Sequence, residues 1–575
     1  MQIKLVNFLF KSFFIAFLIV LNTGSVSAQL FPATNYPQQY FQWPVKVKVG
    51  LVANFGELRP NHYHMGLDIR TDQKVNVPVY AAADGYIAKV KVEPFGFGQC
   101  IYINHPNGFT TLYAHLNQFN PALDKYVKEQ QYKQKKWAVF IDIPADLFPV
   151  KKGDFIALSG SMGGSQGPHV HFEIRDTKTD KVLNPLLFGM PVPDNVPPVI
   201  VRLAVYDRDQ STYEQTPRLY ALKKVNGVYK PVGGVINVNT DKVSFAINAH
   251  DCFTGSANPN GIFRAELFDN DKSVCGFEMN GISYDETRYL NAHIDYKTRS
   301  SGGPFLQHLS RLSGYNDGIY KSPDGSDGVV LIKPNDPHEI KIVVSDVNNN
   351  ISTIEFSLQN TNAPHAFREG DPGKMFFPNM FNVFENNNIS FYLPETGVYD
   401  YFSFVYKEIL SPTAKTIYQL HNTSVPVHNR FTLRIRDDIP AEDTGHVMIK
   451  RFSGTKSDYE KAVYENGWYK ATGFREFGNY QLVVDHTPPT ITPVGFRNGM
   501  NASRLARIAF IITDNTEELN FSATLDGNWL RFSNDKGKVF IYVFDEHCSP
   551  GAHELKVVAE DLAGNKTEKV FNFTR

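Results

Sequence analysis

"GSQGPHVHFE", residues Gly164–Glu173, places two histidines two residues apart in a stretch with the pattern of a β-strand. Side chains at positions i and i+2 of a strand point to the same face. His169 and His171 are therefore predicted to face one space, with Val170 and Phe172 on the opposite side, in a core. Because ordinary exposed strands also carry such pairs, the two histidines alone do not define a site.

The strand pattern continues in the sequence upstream of this stretch. "VPVYAAADGYIAKVKV", "GQCIYINH" and "FTTLYAHL" are predicted strands, and Asn107-Gly108 between the last two is typical of a hairpin. Residues 29–192 are thus predicted to form a mostly antiparallel β domain. The Lys-rich, helix-forming composition of residues 117–149 indicates an insertion, either a solvated surface helix or a cap that contacts substrate.

A second histidine motif, "NHYHMGLDIRT", supplies His64 and Asp68 in a segment expected to be extended or looped. Four residues along a strand would return both side chains to one face. One histidine, one carboxylate and one histidine of the later strand make a three-ligand set for Zn²⁺, which in catalytic sites keeps its fourth position for water. Spacing leaves open whether His169 or His171 is the third ligand. The remaining histidine and His115 of "LYAHL" suit proton transfer, since imidazole titrates near neutrality.

Two other histidines of this region are not predicted to take part in the site. His62 follows Pro60-Asn61 in the approach to the motif, and His105 begins the hairpin turn. Both are interpreted as solvated or capping residues.

These motifs, in this order, resemble the lysostaphin-type, or LytM-domain, zinc metallopeptidases of bacterial cell walls. The resemblance rests on His64-x-Gly66-x-Asp68, "PVYAAADGYI", "YAHL", "GPHVHFEI" and the following Asn184-Pro185, and it covers about residues 29–192. It implies that His64, Asp68 and His171 bind zinc and that His115 and His169 are the catalytic histidines that do not bind it. Gln166 departs from the usual "STGPH", at a position with neither role.

Another interpretation starts from "VYAAADGYI" and "VKKGDFIAL", which resemble the hairpins of lipoyl and biotinyl carrier domains. A carrier needs a modifiable lysine at an exposed hairpin tip, and no such tip is evident. The histidine set would also be unexplained, so the carrier interpretation is set aside.

The chain has 575 residues, enough for three or four domains, and a formal net charge of -1, which argues against nucleic-acid binding. Residues 1–28 read as a signal peptide, with lysines before a short apolar run and small residues at its end, so no stable membrane insertion is expected after cleavage. An uncleaved signal acting as a tether is the alternative. Of four cysteines, only Cys252 and Cys275 are close enough in sequence to suggest a disulfide, and buried free thiols are the alternative.

Repeats divide the rest of the chain. "DNVPPVI" at 194–200 recurs as "DHTPPTI" at 485–491, and residues 338–356 align without a gap to 553–571. Such self-similarity predicts immunoglobulin-like β-sandwiches at 193–360, with insertions, and 486–575, with a further β-sandwich at 361–485. Secreted enzymes of Bacteroidetes-type bacteria resemble this arrangement, and the predicted fold is all-β throughout.

The function expected from these features is a secreted, zinc-dependent endopeptidase of the periplasm or cell envelope. Its substrates would be the stem peptides or cross-bridges of peptidoglycan, hydrolysed by a water that zinc activates. A different class of protein, a non-catalytic LytM-like regulator that activates another cell-wall hydrolase, is the alternative. Regulators of this kind are expected to lack ligands, whereas all five functional positions are filled here.

Overall fold

The computed structural model describes residues 30–316, 318–361, 373–410, 416–516, 519–537 and 539–575. The predicted signal peptide at 1–28 lies outside these ranges. Residues 30–35 belong to a unit separate from Tyr36–Arg575, and the second unit contains every element given below. Among the described helices, none has both the length and the apolar character required to cross a bilayer.

The predicted all-β class is confirmed, since 46% of the chain is strand and 7% is helix. The N-terminal region, residues 36–192, has a main antiparallel sheet and a small second sheet. In spatial order the main sheet contains Leu51–Ala53, Leu67–Arg70, His169–Asp176, Phe109–Ala114, Gln99–Asn104, Gly85–Val92 and Val139–Asp142, with Pro149–Val150 and Val182–Leu183 at its margins. The second sheet contains Pro78–Tyr80, Phe155–Ser159 and Leu116–Phe119, and a separate ladder joins Leu58–Arg59 to His62–Tyr63.

The second region, residues 193–361, is built around one large, mostly antiparallel sheet. Its strands in spatial order are Gln307–His308, Lys242–His250, Val199–Asp207, Arg218–Val225, Val228–Pro231, Ile351–Asn360, His338–Ser345, Arg264–Asp269, Lys272–Glu278 and Tyr320–Lys321, with Ile236–Val238 and Val330–Leu331 attached. Gly281–Ile282 pairs instead with Val182–Leu183, so the main sheet of the N-terminal region continues into the second region.

The third region, residues 373–485, and the fourth, residues 486–575, are also formed by paired sheets. The third contains Lys374–Phe376, Asn382–Glu385, Ile389–Leu393, Phe402–Phe404, Tyr406–Ile409, Ile417–Leu420, Thr432–Ile435, Val447–Ser453, Lys456–Lys461, Val463–Glu465, Trp468–Ala471 and Gly478–Val484. The fourth contains Thr490–Val494, Met500–Asn501, Arg507–Thr513, Leu519–Leu525, Asn528–Trp529, Val539–Val543, Ala552–Asp561 and Lys566–Thr574. Among the described residues, the α-helices are Pro121–Gln134, Leu290–His293 and Tyr296–Ser300, and the 3₁₀ helices are Pro185–Phe188, Thr287–Tyr289 and Ala441–His446.

The hydrophobic cores show how the N-terminal region is supported. Val170 and Phe172 are fully buried in its own core, as the strand pattern predicts. Phe55, Tyr63 and Met65, which flank the histidine motif, are buried in the core of the second region instead. The motif is therefore held between two regions, and the domain boundary at residue 193 stays a prediction.

The helix Pro121–Gln134 lies in the predicted insertion. Asn120 caps it by accepting a hydrogen bond from the Leu123 backbone N–H at 3.0 Å. Gln131 is buried and accepts from Arg531 at 2.6 Å, and the ring of Tyr132 stacks on His547 of the fourth region at 3.7 Å. The helix is thus a docking element for the fourth region rather than a purely solvated one.

All four cysteines lie in the described ranges and are free thiols. Cys275 therefore follows the alternative of a buried free thiol, whereas Cys252 is free but only partly buried. Cys100, Cys275 and Cys548 are buried, where they pack as small apolar side chains.

Candidate metal centre and catalytic groove

Three predicted ligands converge at one point of the N-terminal region. His171 lies opposite Asp68 across paired strands, and His64 precedes the Asp68 strand. The Nε2 of His64 lies 2.9 Å from Asp68 Oδ1 and 3.0 Å from His171 Nδ1, and the latter is 2.9 Å from Asp68 Oδ1. All three residues are buried, with exposures of 4%, 3% and 5% for His64, Asp68 and His171. The structure thus brings together the set that the resemblance implies.

His64 lies in a loop before the strand Leu67–Arg70, which agrees with the extended or looped segment expected from the sequence. Its ring is oriented by a backbone contact, because Nδ1 donates to the Asn54 carbonyl at 2.7 Å. That hydrogen bond fixes the proton on Nδ1 and leaves Nε2 as a lone-pair donor facing Asp68 and His171. The loop before the motif therefore determines which nitrogen of His64 faces the cluster.

His171 is held from its other nitrogen by a buried charged network. Nε2 of His171 lies 2.9 Å from Glu173 Oε1, and the other oxygen of Glu173 accepts from Arg175 Nε at 2.7 Å. Burial opposes ionisation of Glu173, but Arg175 and His171 hold its pKa at about 2. Tyr284 of the second region donates to Glu173 Oε1 at 2.5 Å. The second region thus contacts the group that orients His171.

Asp68 is an ionised carboxylate although it is almost fully buried. Burial opposes its charge, but the neighbouring rings of His64, His169 and His171 hold its pKa well below the usual range. Arg59 donates to Asp68 Oδ2 at 2.9 Å. One oxygen of Asp68 is therefore neutralised by Arg59, while the other faces the histidines.

His115 and His169 lie beside the three-residue cluster, with ring centroids 4.8 Å apart. Nδ1 of His115 donates to the Met162 carbonyl at 2.8 Å, and Nδ1 of His169 donates to the Gly167 carbonyl at 2.9 Å. Since a carbonyl can only accept, the Nε2 atom of each neutral ring is a proton acceptor. Burial, together with His171 and His169, lowers the pKa of His115 to about 3. His115 is thus neutral at physiological pH.

The other two histidines of the region differ in their surroundings. His62 is exposed and contacts the Pro60 carbonyl through Nδ1, as expected of a solvated residue. The expectation that His105 is solvated or capping is wrong: it is 6% exposed, and its ring nitrogens contact the Asp84 carbonyl and Thr111 Oγ1. His105 is thus a buried structural residue.

The cluster lies in a groove of about 1710 Å³. Its rim includes parts of two loops, residues 93–98 and 160–168, which we call the rim loops. Tyr284, Arg299 and Phe305 of the second region line the same groove. Among the described residues, none from 117–149 lines it, so the alternative of a substrate-contacting cap for that insertion is not supported.

The rim loops are also fastened by the fourth region. Gly163 donates its N–H to Asp535 Oδ1 at 2.8 Å, and Lys536 Nζ donates to the Ser165 carbonyl at 3.0 Å. The Lys536 backbone N–H donates to the Pro94 carbonyl at 2.9 Å. Both rim loops are thereby joined to one turn of the last region.

Gly66 is required by the close approach of two strands. A Cβ at this position would lie 2.5 Å from the Phe172 carbonyl oxygen and 2.9 Å from His171 Nε2. We expect Gly66→Ala to lower the free energy of unfolding by about 1–3 kcal/mol through overpacking and to reduce metal content. Urea unfolding and metal analysis of purified protein test this.

Gly445→Ala is the matched control, because Gly445 is exposed and a Cβ there would contact nothing within 4 Å. Its effect on stability should stay within about 0.5 kcal/mol. Equal stability and metal content in the two variants would show that the protein tolerates a Cβ at position 66 and that the close approach there does not require glycine.

Sequence reasoning missed four residues that support the site: Asn54, Arg59, Glu173 and Tyr284. Glu173 could have been found, since it follows His171 by two residues on the same strand face. Arg59 lies in the segment before the motif and carries no pattern of its own. Tyr284 is 111 residues from Glu173, and only the tertiary structure brings it to the site.

Comparisons with known proteins agree with this geometry. The family model described as Peptidase family M23 matches residues 62–132, and one described as a Zu5-like domain matches residues 373–485. The DD-carboxypeptidase/endopeptidase Mpg of Neisseria meningitidis serogroup B is 33% identical over 131 residues, which cover 23% of this chain and 24% of that protein. The peptidoglycan DD-endopeptidase ShyB of Vibrio cholerae is 32% identical over 111 residues, covering 19% of this chain and 20% of that protein.

Among solved structures, the catalytic domain of the antimicrobial peptidase lysostaphin from Staphylococcus simulans matches with 24% identity and a TM-score of 0.18, over 24% of this chain and 90% of that one. The match to each of the two curated relatives spans a quarter or less of that relative's length. The family model places the M23 similarity at residues 62–132, in the N-terminal region. As its motifs predict, the chain contains a domain of peptidase family M23, the LytM- or lysostaphin-type peptidases.

Proposed function

We propose that the chain is an exported, zinc-dependent endopeptidase of the periplasm or cell envelope that hydrolyses peptide cross-links of peptidoglycan. The convergence of His64, Asp68 and His171 beside two further histidines at a groove carries this proposal. Relatives named as DD-endopeptidases support peptidoglycan as the substrate class.

The donor atoms of the cluster fit zinc. Two imidazole nitrogens and one carboxylate oxygen lie within 4.8 Å of one another, and three such ligands are typical of a catalytic zinc site. His64, Asp68 and His171 would hold the ion, with Asn54 and Glu173 orienting the two rings from behind. When bound, zinc lowers the pKa of a coordinated water to about 7 and polarises a carbonyl group.

His115 and His169 are proposed to manage protons in the reaction. Each ring presents an Nε2 lone pair, because Nδ1 is engaged with a backbone carbonyl. His169 Nε2 lies 3.3 Å from Asp68 Oδ1, so it faces the point where the ligands converge. Either histidine can take a proton from the attacking water and return it to the leaving amine, or, once protonated, stabilise the oxyanion.

The groove suits a peptide that carries free carboxylates. Arg59, Arg70, Lys91 and Arg299 line it, next to the carboxylates Glu57, Asp72 and Glu93. Stem peptides contain D-alanine and diamino acid residues. Their carboxylates can pair with the basic side chains of the groove, and their amino groups can pair with its acidic side chains. We propose the bond between D-alanine and a diamino acid as the one cut.

Digestion of purified sacculi tests the function. The mature, zinc-loaded protein is expected to convert cross-linked muropeptide dimers to monomers, which mass spectrometry identifies by their new amino and carboxyl ends. Sacculi with glycine bridges serve as the comparison substrate, and His115→Asn protein serves as the inactive control. If the wild-type protein released nothing alone but accelerated a second hydrolase, the regulator interpretation would be correct.

A further inference from the structure

Two clusters of three aspartates lie outside the lining of the groove. Asp194, Asp251 and Asp346 place one carboxylate oxygen each within 4.8 Å of one another in the second region, and Asp485, Asp514 and Asp561 do the same in the fourth. Like charges at this separation repel strongly in a buried setting. A cluster of this kind requires either protons or a cation.

The two clusters are equivalent in sequence and in structure. Asp194 and Asp485 precede the paired prolines of the repeat, and Asp346 aligns with Asp561 in the repeated hairpin. Asp251 and Asp514 each follow the end of a strand, Lys242–His250 and Arg507–Thr513. The same three positions have thus been kept together in two copies of one module.

An asparagine completes each cluster in the same way. Asn350 donates through its amide to Asp346 Oδ2 at 2.6 Å, and Asn565 donates to Asp561 Oδ2 at 2.8 Å. The amide of Asn565 also reaches the Asp485 carbonyl at 2.9 Å, and that of Asn350 lies 3.5 Å from the Asp194 carbonyl. These contacts fix the carboxylate of the last aspartate in each cluster.

Unsatisfied oxygen atoms point to a ligand at both places. Asp251 is 2% exposed, yet its Oδ1 has no hydrogen-bond partner, and Oδ2 of Asp194 is also unpartnered. In the fourth region, Asp485 is 5% exposed with an unpartnered Oδ2, and Asp514 Oδ1 is likewise unpartnered. Buried carboxylate oxygens without partners are costly, so an absent ligand is the simplest way to satisfy them.

The first cluster borders a cavity of the size of one ion. The cavity measures about 20 Å³ and is lined by the three aspartates together with Asn54, Gly261 and Asn348. A space of about 10–15 Å³ already holds one water-sized particle. Burial, followed by the charges of Asp194 and Asp346, raises the pKa of Asp251 to about 7.

We propose that each aspartate cluster binds one calcium ion. The converging donors are carboxylate oxygen atoms, which hard divalent cations prefer, and calcium accepts irregular oxygen sets. Neither cluster offers the imidazole or thiolate donors of a zinc site. The two calcium sites are thus distinct from the proposed zinc centre in chemistry and in position.

The first calcium site also bears on the catalytic centre. Asn54 lines the cavity. Its side-chain N–H donates to the Gly261 carbonyl at 2.8 Å, and its side-chain oxygen accepts from the Gly261 N–H at 2.9 Å. The backbone carbonyl of Asn54 accepts a hydrogen bond from His64. Leu186, Met190 and Val192 of the N-terminal region line the same cavity. Calcium therefore stabilises the junction that presents the Asn54 carbonyl to His64.

Equilibrium dialysis of the zinc-loaded full chain against about 1 mM calcium chloride, followed by elemental analysis, tests the proposal. The wild-type protein is expected to hold two calcium ions per chain. Asp251→Asn and Asp514→Asn should each hold one, the double variant none, and the exposed control Asp438→Asn two. Zinc content should remain at one ion per chain throughout.

Thermal unfolding adds a second measurement on the same proteins. Calcium should raise the unfolding midpoint of the wild type, whereas it should have no effect on the double variant. Without calcium, the double variant should be at least as stable as the wild type, because the substitutions remove repulsion. Calcium content below one ion per chain in the wild type at neutral pH would overturn the proposal and indicate carboxyl groups that share protons. Retention of magnesium but not calcium would overturn the choice of ion.

Discussion

His115→Asn and His169→Ala proteins are expected to keep one zinc ion per chain while kcat on cross-linked muropeptides falls by about 10²- to 10⁴-fold. Neither imidazole belongs to the converging set, and each is held in place by a backbone carbonyl. Removing one imidazole therefore removes a proton acceptor without removing a ligand. Elemental analysis and steady-state kinetics on the same preparations measure both quantities.

The choice of asparagine at position 115 matters. His115 has a φ of 59°, and asparagine tolerates this left-handed conformation better than alanine. Loss of activity in His115→Asn then reflects the imidazole and not backbone strain. Near-normal kcat in that variant would remove His115 from the mechanism.

His171→Ala protein is expected to lose zinc and, with it, all measurable hydrolysis. His171 Nδ1 lies within 3.0 Å of the other two ligand atoms, whereas the ring of His169 is engaged with the Gly167 carbonyl. Loss of the His171 imidazole leaves only two protein ligands, too few for a stable catalytic zinc site. Zinc titration monitored with a chromogenic chelator should show an affinity at least about 10²-fold weaker than that of the wild type. Loss of a residue that only supports a ligand can already weaken metal binding by about this factor.

His62→Ala is the control for that experiment, because His62 is a groove-lining histidine outside the cluster. It should keep its zinc. The opposite pattern, zinc-free His169→Ala beside zinc-loaded His171→Ala, would exchange the roles of the two strand histidines.

The placement of the site residues in the N-terminal region could be predicted because it depends on local patterns. The alternation in "HVHFE" places His169, His171 and Glu173 on one face, and the register of the paired strands then sets His171 opposite Asp68. Motif order identified the distant partners His64 and His115. Strand geometry alone did not separate the roles of His169 and His171.

Contacts between regions could not be predicted from the sequence. Tyr284 reaches Glu173, and Phe55 is buried in the core of the second region, through packing that no periodic pattern encodes. The hairpin predicted at Asn107-Gly108 is present, with a four-residue loop in which Gly108 adopts a positive φ. Residues 29–192 on their own would lack the core in which Phe55, Tyr63 and Met65, the side chains that flank the motif, are buried.

The contact between Lys536 and Ser165 joins residues 371 positions apart in the chain. A ribosome must therefore complete almost the entire polypeptide before the rim loops can reach their final partners. Until then, the rim loops would lack their contacts with the fourth region. The rim loops would then reach their final arrangement late, after the fourth region has folded. A chain truncated before residue 535 would lack these contacts to both rim loops.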